Sequence, residues 1–306
     1  MKEKLFINLI SKITNSKYIG DDCAYLRDLN IVVTQDNLVE DVHFSKNFIT
    51  PYQLGYKAVM VNISDVCASG AKPEYLTIAL SLPNNIDETY IEDFYTGAKE
   101  AAKDVKIVGG DITGANKIFI SVTALGSTKG RTISSRCHAQ VGQKIVVAGN
   151  HGSSAAGLHL LMGKKFPKLL DIEKKELVKA HLMPHAQISF SKKIATYEKS
   201  PYAMMDTSDG LADALITIAQ ASNVMLEVDF DKIPHAKALD KIDNYENLIL
   251  FGGEDYGLIS TVWNCANLTV IGEVKSGFGV KINYKNSSKI LSAKDVENNV
   301  FNHFEE

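Results

Sequence analysis

Cysteine is scarce in this chain and scattered. Cys23, Cys67, Cys137 and Cys265 share no paired spacing, which excludes a cysteine-built zinc site and a disulfide framework and suits a reducing cytoplasm. Long apolar runs are missing too: no stretch approaches the roughly 20 apolar residues of a membrane-spanning helix. The start, Met1-Lys2-Glu3-Lys4 followed by an apolar run interrupted at Asn8, is too short and too polar for a signal peptide. Positive charge is not in excess. With 33 Lys and Arg against 36 Asp and Glu, the formal net charge is −3 and the lysines are dispersed, so the chain offers no footprint for a nucleic-acid backbone. Nucleophile motifs are absent as well. There is no Gly-x-Ser-x-Gly elbow, the cysteines have no histidine partner motif, and the glycine-rich stretch 149–157 lacks the Lys-Ser/Thr of a P-loop.

What is present is an ordinary globular composition. A chain of 306 residues, 45% apolar and 23% charged, can bury a sizeable core and has the length of about two domains. Short apolar runs alternate with amphipathic stretches, the pattern of a mixed α/β protein. Strands are expected at 31–34, 76–82, 118–125, 144–148 and 224–230. Thr50-Pro51 reads as a helix start, a capping hydroxyl followed by proline at the first helical position, and that helix is expected to reach 62. Residues 87–104 place Ile91, Phe94, Tyr95, Ala98, Ala101 and Ala102 on one helical face. A third helix opens at Asp209-Gly210. The polar, turn-rich segment 126–142 precedes a new strand, so a boundary is placed near 136–152, giving domains 1–140 and 141–306. The polar end, 295–306, carries Val296, Val300, Phe301 and Phe304 and reads as a docking tail.

The informative feature is a set of aspartates in small-residue settings spread along the chain: Asp21-Asp22, Asp36, Asp65, Asp111, Asp206 and Asp209. If folding brings them together they repel, at roughly 4 kcal/mol per pair about 4 Å apart with an effective dielectric near 20. Mg²⁺ cancels such charge with oxygen ligands and commonly binds through a few carboxylates plus substrate phosphates. Each acid has a bland alternative. Gly20-Asp21-Asp22 is a common turn pair, and Thr34-Gln35-Asp36 lies at the end of a short expected strand, where α/β sheets bind ligands. Asp65 sits late in an apolar helical stretch, where the helix end disfavours negative charge. Gly109-Gly110-Asp111 follows a strand-like run and reads as a phosphate approach or as a hairpin or bulge glycine pair. In Asp206-Thr207-Ser208-Asp209-Gly210, Ser208 or Asp209 could cap the helix that follows. His43, alone between apolar neighbours, reads as a packed side chain. It is the joint recurrence of Gly/Ser plus Asp clusters that points to a magnesium-dependent phosphate enzyme.

Taken in order, Gly20-Asp21-Asp22-Cys23-Ala24, the segment from Asp36 to Phe44, Asn62-Ile63-Ser64-Asp65, Gly70-Ala71-Lys72-Pro73, Gly109-Gly110-Asp111, Ser153-Ser154-Ala155-Ala156-Gly157-Leu158, Asp206 to Leu211 and Gly252-Gly253-Glu254-Asp255-Tyr256 resemble the thiamine-monophosphate kinase family, end to end. Its superfamily also holds aminoimidazole ribonucleotide synthetase and selenophosphate synthetase. The resemblance implies a two-domain fold, with an N-terminal mixed sheet that pairs in a homodimer and a C-terminal α/β sandwich. It also implies ATP- and Mg²⁺-dependent phosphorylation of thiamine monophosphate to thiamine diphosphate. By match, Asp22, Thr34, Asp36, Asp65, Asp111, Asp206 and Asp209 hold metal, and Asp36, Asp111 and Asp206 support transfer with no covalent nucleophile. Tyr95, Gly110, Asp111, Arg136 and Ser208 meet ATP, while His43, Glu254 and Phe301 meet the substrate. The chain departs from the family pattern at Gln35, where threonine is usual and a metal contact would pass to backbone or water, and at Gly142-Gln143, Gly257 and the tail. Two other readings stand beside this one: a different ATP-using enzyme of the superfamily, and a binding protein that retains nucleotide and metal without turnover.

Overall fold

The computed structural model describes residues 2–299; Phe301 and the rest of the expected docking tail from Val300 onward lie outside them. The N-terminal half runs α1 (Lys2–Thr14), β1 (Ala24–Leu26), β2 (Ile31–Val39), α2 (Pro51–Ala68), β3 (Lys72–Leu82), α3 (Glu88–Ala102), β4 (Lys106–Gly114) and β5 (Phe119–Ser127). Its sheet has the order β1-β2-β5-β3-β4. All pairings are antiparallel except β3 with β4, which α3 connects as a parallel crossover.

The C-terminal half contains β6 (Lys144–Ala148), α4 (Ser153–Leu161), α5 (Asp171–Leu182), α6 (Ile188–Tyr197), β7 (Met204–Asp206), α7 (Leu211–Ser222), β8 (Met225–Asp229) and α8 (Tyr245–Phe251). It continues with β9 (Leu258–Val262), β10 (Thr269–Lys275), β11 (Gly279–Tyr284), β12 (Ser287–Leu291) and α9 (Ala293–Glu297). These strands form a seven-stranded sheet ordered β12-β11-β8-β10-β6-β9-β7, mixed because β11 runs parallel to β8. One buried cluster fills this half. The expected α/β class and the two mixed sheets are both present.

The helix that positions the site is α2. Thr50 caps it in a reciprocal box with Gln53, its hydroxyl accepting from the Gln53 N–H while the Gln53 side chain accepts from the Thr50 N–H, and Pro51 supplies the first helical residue. It then runs past residue 62 to Ala68 with buried residues on every face, as expected of a helix enclosed by protein. One side packs on α3 at backbone distance. A Cβ on Gly55 would fall 1.9 Å from the Phe94 carbonyl oxygen, and one on Gly97 1.8 Å from that of Tyr52, so glycine at both positions sets how closely the helices approach. Its other neighbours include β7, and Met204, Leu258 and Val262 of the C-terminal sheet join the N-terminal core cluster. Polar side chains on α2 are thereby delivered to the junction of the two halves.

Two expected local structures are corrected. Strand β2 does not stop at Thr34 but pairs with β5 out to Val39, so Asp36 lies within a strand. Gly109-Gly110-Asp111 is likewise inside β4. Leu76 faces Ile107 and Thr77 faces Gly109, so Val108 is the extra residue of a bulge. Gly110 allows that pairing, since a Cβ there would meet the Ile78 carbonyl oxygen at 1.8 Å.

Candidate active site

Three carboxylates converge from three distant segments. Asp22 comes from the loop before β1, Asp65 from the last turns of α2 and Asp206 from the end of β7. Each offers an oxygen within 4.8 Å of the other two. Their orientation is fixed by neighbours. The Thr34 hydroxyl donates to Asp65 Oδ2 at 2.6 Å, and the Ser64 hydroxyl to Asp206 Oδ2 at 2.7 Å. Ser208 donates to Asp206 Oδ1 from both its hydroxyl, at 2.8 Å, and its N–H. Arg136 Nη2 lies 3.0 Å from Asp22 Oδ1, and the Asn62 amide oxygen accepts the Asp36 N–H at 3.1 Å. Ser208 thus orients an acid rather than capping α7, whose N-cap is Gly210 with no side-chain cap.

The electrostatics of this group are unbalanced. Burial pushes Asp22 up to about 6, with Asp206 and Asp21 adding to it and Arg136 opposing. Burial, then Asp206, Asp209 and Asp22, push Asp36 to about 6 as well. Burial and the charges of Asp36, Asp206 and Asp22 raise Asp65 well above the carboxylate range. Asp206, 1% exposed, is raised by burial despite its serine hydrogen bonds. Buried acids that push one another up and have a single guanidinium among them are short of positive charge. An all-oxygen donor set at this spacing fits a hard divalent cation such as Mg²⁺.

Asp36, Asp65 and Asp209 also line a cavity of about 740 Å³, together with apolar side chains including Phe44, Phe48, Leu158 and Met162. His43 lines it too. Its Nδ1 accepts the Val39 N–H at 3.0 Å, which puts the proton of the neutral ring on Nε2. Glu254 lies on the same cavity with its backbone in the left-handed region, φ 63°, and its N–H donating to Ser208 O at 2.6 Å. Here the charge balance is reversed. Burial alone would raise the Glu254 carboxyl, but Lys57, then His181, offset this and bring it below its usual range. Burial together with Lys57 holds His181 down to about 4, so its ring is neutral near pH 7. Asp255, beside Glu254 in sequence, serves the backbone instead. Its carboxylate accepts the N–H groups of Gly152 and Ser154 at the start of α4, the arrangement a helix N-terminus favours.

Other residues singled out in the sequence lie apart from the cluster. Asp111 and Gly110 are on the exposed edge strand β4. Tyr95 is half-buried on α3, with its ring edge-on to Phe94 at 5.4 Å. Gln35 points to the face of β2 opposite Thr34 and Asp36, bonding Ser121 and Thr123, so its departure from the family pattern does not touch the acids. Gly257 has no room for a side chain, since a Cβ would lie 2.8 Å from the Ala148 carbonyl oxygen. Sequence reasoning gave no role to Asn62, Ser64, Lys57 or His181. For Lys57 a signal existed: a lysine inside an otherwise apolar helical run. His181, in a polar helix, carried none.

A five-stranded mixed sheet joined through a buried helix to a seven-stranded α/β unit, with oxygen ligands gathered at the junction, defines a protein of the AIR synthase related class. The N-terminal domain of AIR synthase related proteins matches residues 20–128 and the C-terminal domain residues 140–261. Among curated relatives, the thiamine-monophosphate kinase of Aquifex aeolicus (strain VF5) is 38% identical over 293 residues, covering 91% of this chain and 93% of that protein. That of Bacillus subtilis (strain 168) is 33% identical, covering 94% and 93%. The solved structure of AaThiL complexed with AMPPCP and TMP superposes with a TM-score of 0.82 at 36% identity, covering 92% of this chain and 94% of that one. The chain belongs to the thiamine-monophosphate kinase family.

Proposed function

We propose that this protein transfers the terminal phosphoryl group of ATP to thiamine monophosphate, giving thiamine diphosphate and ADP. The observation that carries the reading is the convergence of Asp22, Asp65 and Asp206, with Asp65 also lining a cavity that apolar side chains such as Phe44 and Leu158 share. Kinship supports it, since the curated relatives are thiamine-monophosphate kinases and a related structure holds AMPPCP and TMP together.

In this reading Asp22, Thr34, Asp36, Asp65, Asp206 and Asp209 hold Mg²⁺. Bound Mg²⁺ supplies the charge cancellation that lets two phosphate-bearing molecules approach in line. The chain supplies position. Ser64 and Ser208 fix the Asp206 carboxylate, Thr34 fixes Asp65, and Asn62 fixes the backbone of Asp36. The acceptor phosphate is already anionic at neutral pH, so no base or protein nucleophile is required and placement dominates the rate. Arg136 and Ser208 meet ATP, while His43 presents its Nε2 proton, and Glu254 its carboxylate, to the acceptor.

The same reading makes the protein a cytoplasmic homodimer with an N-terminal domain, 1–140, carrying most metal and ATP contacts and a C-terminal domain, 141–306, completing the site. Support for pairing comes from β4, whose outer edge is unpaired among the described residues and exposes Val108 and Ile112, 58% and 64% accessible. Asp111, Gly110 and Tyr95 then serve a site that the second copy completes. Ile112→Lys is expected to shift sedimentation from dimer to monomer. The function is tested by chromatographic detection of thiamine diphosphate after incubation with ATP, Mg²⁺ and thiamine monophosphate. Binding of both substrates without product would favour a binding protein.

A further inference from the structure

Lysine rarely lies in a protein interior, yet Lys57 is 1% exposed in the middle of α2. Its Nζ lies 3.0 Å from Glu254 Oε1. Leaving an ammonium buried without its counter-ion is strongly destabilising, so this pairing is a demand of the fold. The second carboxylate oxygen is held separately. His181 Nδ1, on α5, is 3.3 Å from Glu254 Oε2 and 3.0 Å from the Ser154 hydroxyl. A neutral imidazole meets a carboxylate favourably only through a protonated nitrogen, and a proton on Nδ1 would lie between the Ser154 hydroxyl and Glu254 Oε2. Each oxygen thus faces one fixed nitrogen, and each carboxylate oxygen has about two acceptor directions. The Glu254 side chain keeps 27% exposure and lines the large cavity, so acceptor capacity remains on the cavity side. Lysine, glutamate and neutral histidine together sum to no net charge, so this wall recognises by directed hydrogen bonds rather than by field.

Resting on the proposed kinase reading and deepening it, we propose that Lys57 and His181 are positioning residues that hold Glu254 as an oriented acceptor for the amino-bearing ring of thiamine monophosphate, making this buried network the determinant of acceptor specificity. The phosphate end of the acceptor goes to the carboxylate cluster, and the remainder of the molecule occupies the cavity that leads to Glu254. Lys57 and His181 reach the substrate through Glu254.

The test is a double-mutant cycle on the full-length protein, with Lys57→Met, Glu254→Gln and the pair combined, reading KM for thiamine monophosphate, KM for ATP, kcat and melting temperature. Lys57→Met is expected to raise KM for thiamine monophosphate about tenfold, the scale of one hydrogen bond to a charged group, with KM for ATP within about twofold. The combined variant is expected to be no worse than the weaker single one, because both act through one carboxylate. His181→Asn is expected to raise the same KM by a smaller factor. An unchanged acceptor KM in Lys57→Met, a parallel change in KM for ATP, or multiplicative effects in the combined variant would overturn the proposal. Should Lys57→Met fail to melt cooperatively, the combined variant, which leaves no unpaired ion, carries the comparison against Glu254→Gln. If the wild type makes no thiamine diphosphate, the kinase reading fails on its own; calorimetric binding of thiamine monophosphate to the same proteins then decides the network by the same coupling criterion.

Discussion

The acid cluster and the Glu254 end of the site use the same residue type in opposite ways. In the cluster, Asp22, Asp36, Asp65 and Asp206 are driven toward protonation by burial and by one another. At the other end, Glu254 also meets a burial penalty but is pulled below its usual range by Lys57 and His181. The difference lies in the supply of counter-charge. The Glu254 end is complete within the chain and its carboxylate has a settled orientation. The acid cluster is short of positive charge, which a divalent cation would supply. Protein-supplied charge fixes one end, while the other would depend on a bound cation, a division suited to the proposed reaction, in which an acceptor is held still while charge is cancelled.

Removing an acid from the deficient end should break the comparison most visibly. Asp206→Asn is expected to lower turnover by about 100-fold or more, on the scale of the several kcal/mol a metal clamp contributes. It should also raise the melting temperature of metal-free protein, because repulsion is relieved. A fall in both would mean that Asp206 serves the fold rather than the metal. Asp36→Asn and Asp111→Asn are each expected to lower turnover at least about tenfold with the protein still folded. Asp111 is the sharper case, since within one chain it lies on the exposed edge of β4. Full turnover in Asp111→Asn would exclude it from a site completed by a second copy.

The pH response separates the two ends next. Asp22 and Asp36 sit near 6 against an ordinary 3.8. Their protonated forms therefore contribute stability that is fully present below about pH 3.8 and lost as the pH rises through about 6. Mg²⁺ should offset that loss. The increase in melting temperature on adding Mg²⁺ is expected to widen by roughly 3 °C or more between pH 5 and pH 7.5, measured by differential scanning fluorimetry. A constant increment would argue against metal binding by these acids. The smallest effect belongs to a pair with neither burial nor deficit: Lys168→Ala, removing the exposed contact to Asp243 at 3.4 Å, should change unfolding free energy by less than about 0.5 kcal/mol.

How much of this was legible in the sequence follows from where the signal resides. Most of the acids stood out because glycine or serine lies within two residues of them, Asp36 being the exception, and those small neighbours let Ser64 and Ser208 bond the Asp206 carboxylate and the chain turn tightly at 206–210. Helix α2 announced its start through Thr50 and Pro51. Its depth was less legible, because an apolar run with Lys57 in it resembles a surface helix until the second sheet covers it. The pairing of Lys57 with Glu254 has no local trace, since the partners meet only through tertiary packing. Strand ends were obscured for another reason. Gly109-Gly110 carries a turn signal by composition, yet at a sheet edge a bulge at Val108 absorbs it and β4 continues. The polar stretch Gln35-Asp36-Asn37 hid the second half of β2, which the register with β5 holds extended.

The claim that these distant acids form one cation site is tested most directly by anomalous diffraction from crystals grown with Mn²⁺ and a non-hydrolysable ATP analogue. A peak about 2.2 Å from carboxylate oxygens of Asp22, Asp65 and Asp206 is the predicted result. Featureless density between those three side chains at saturating Mn²⁺ would contradict it.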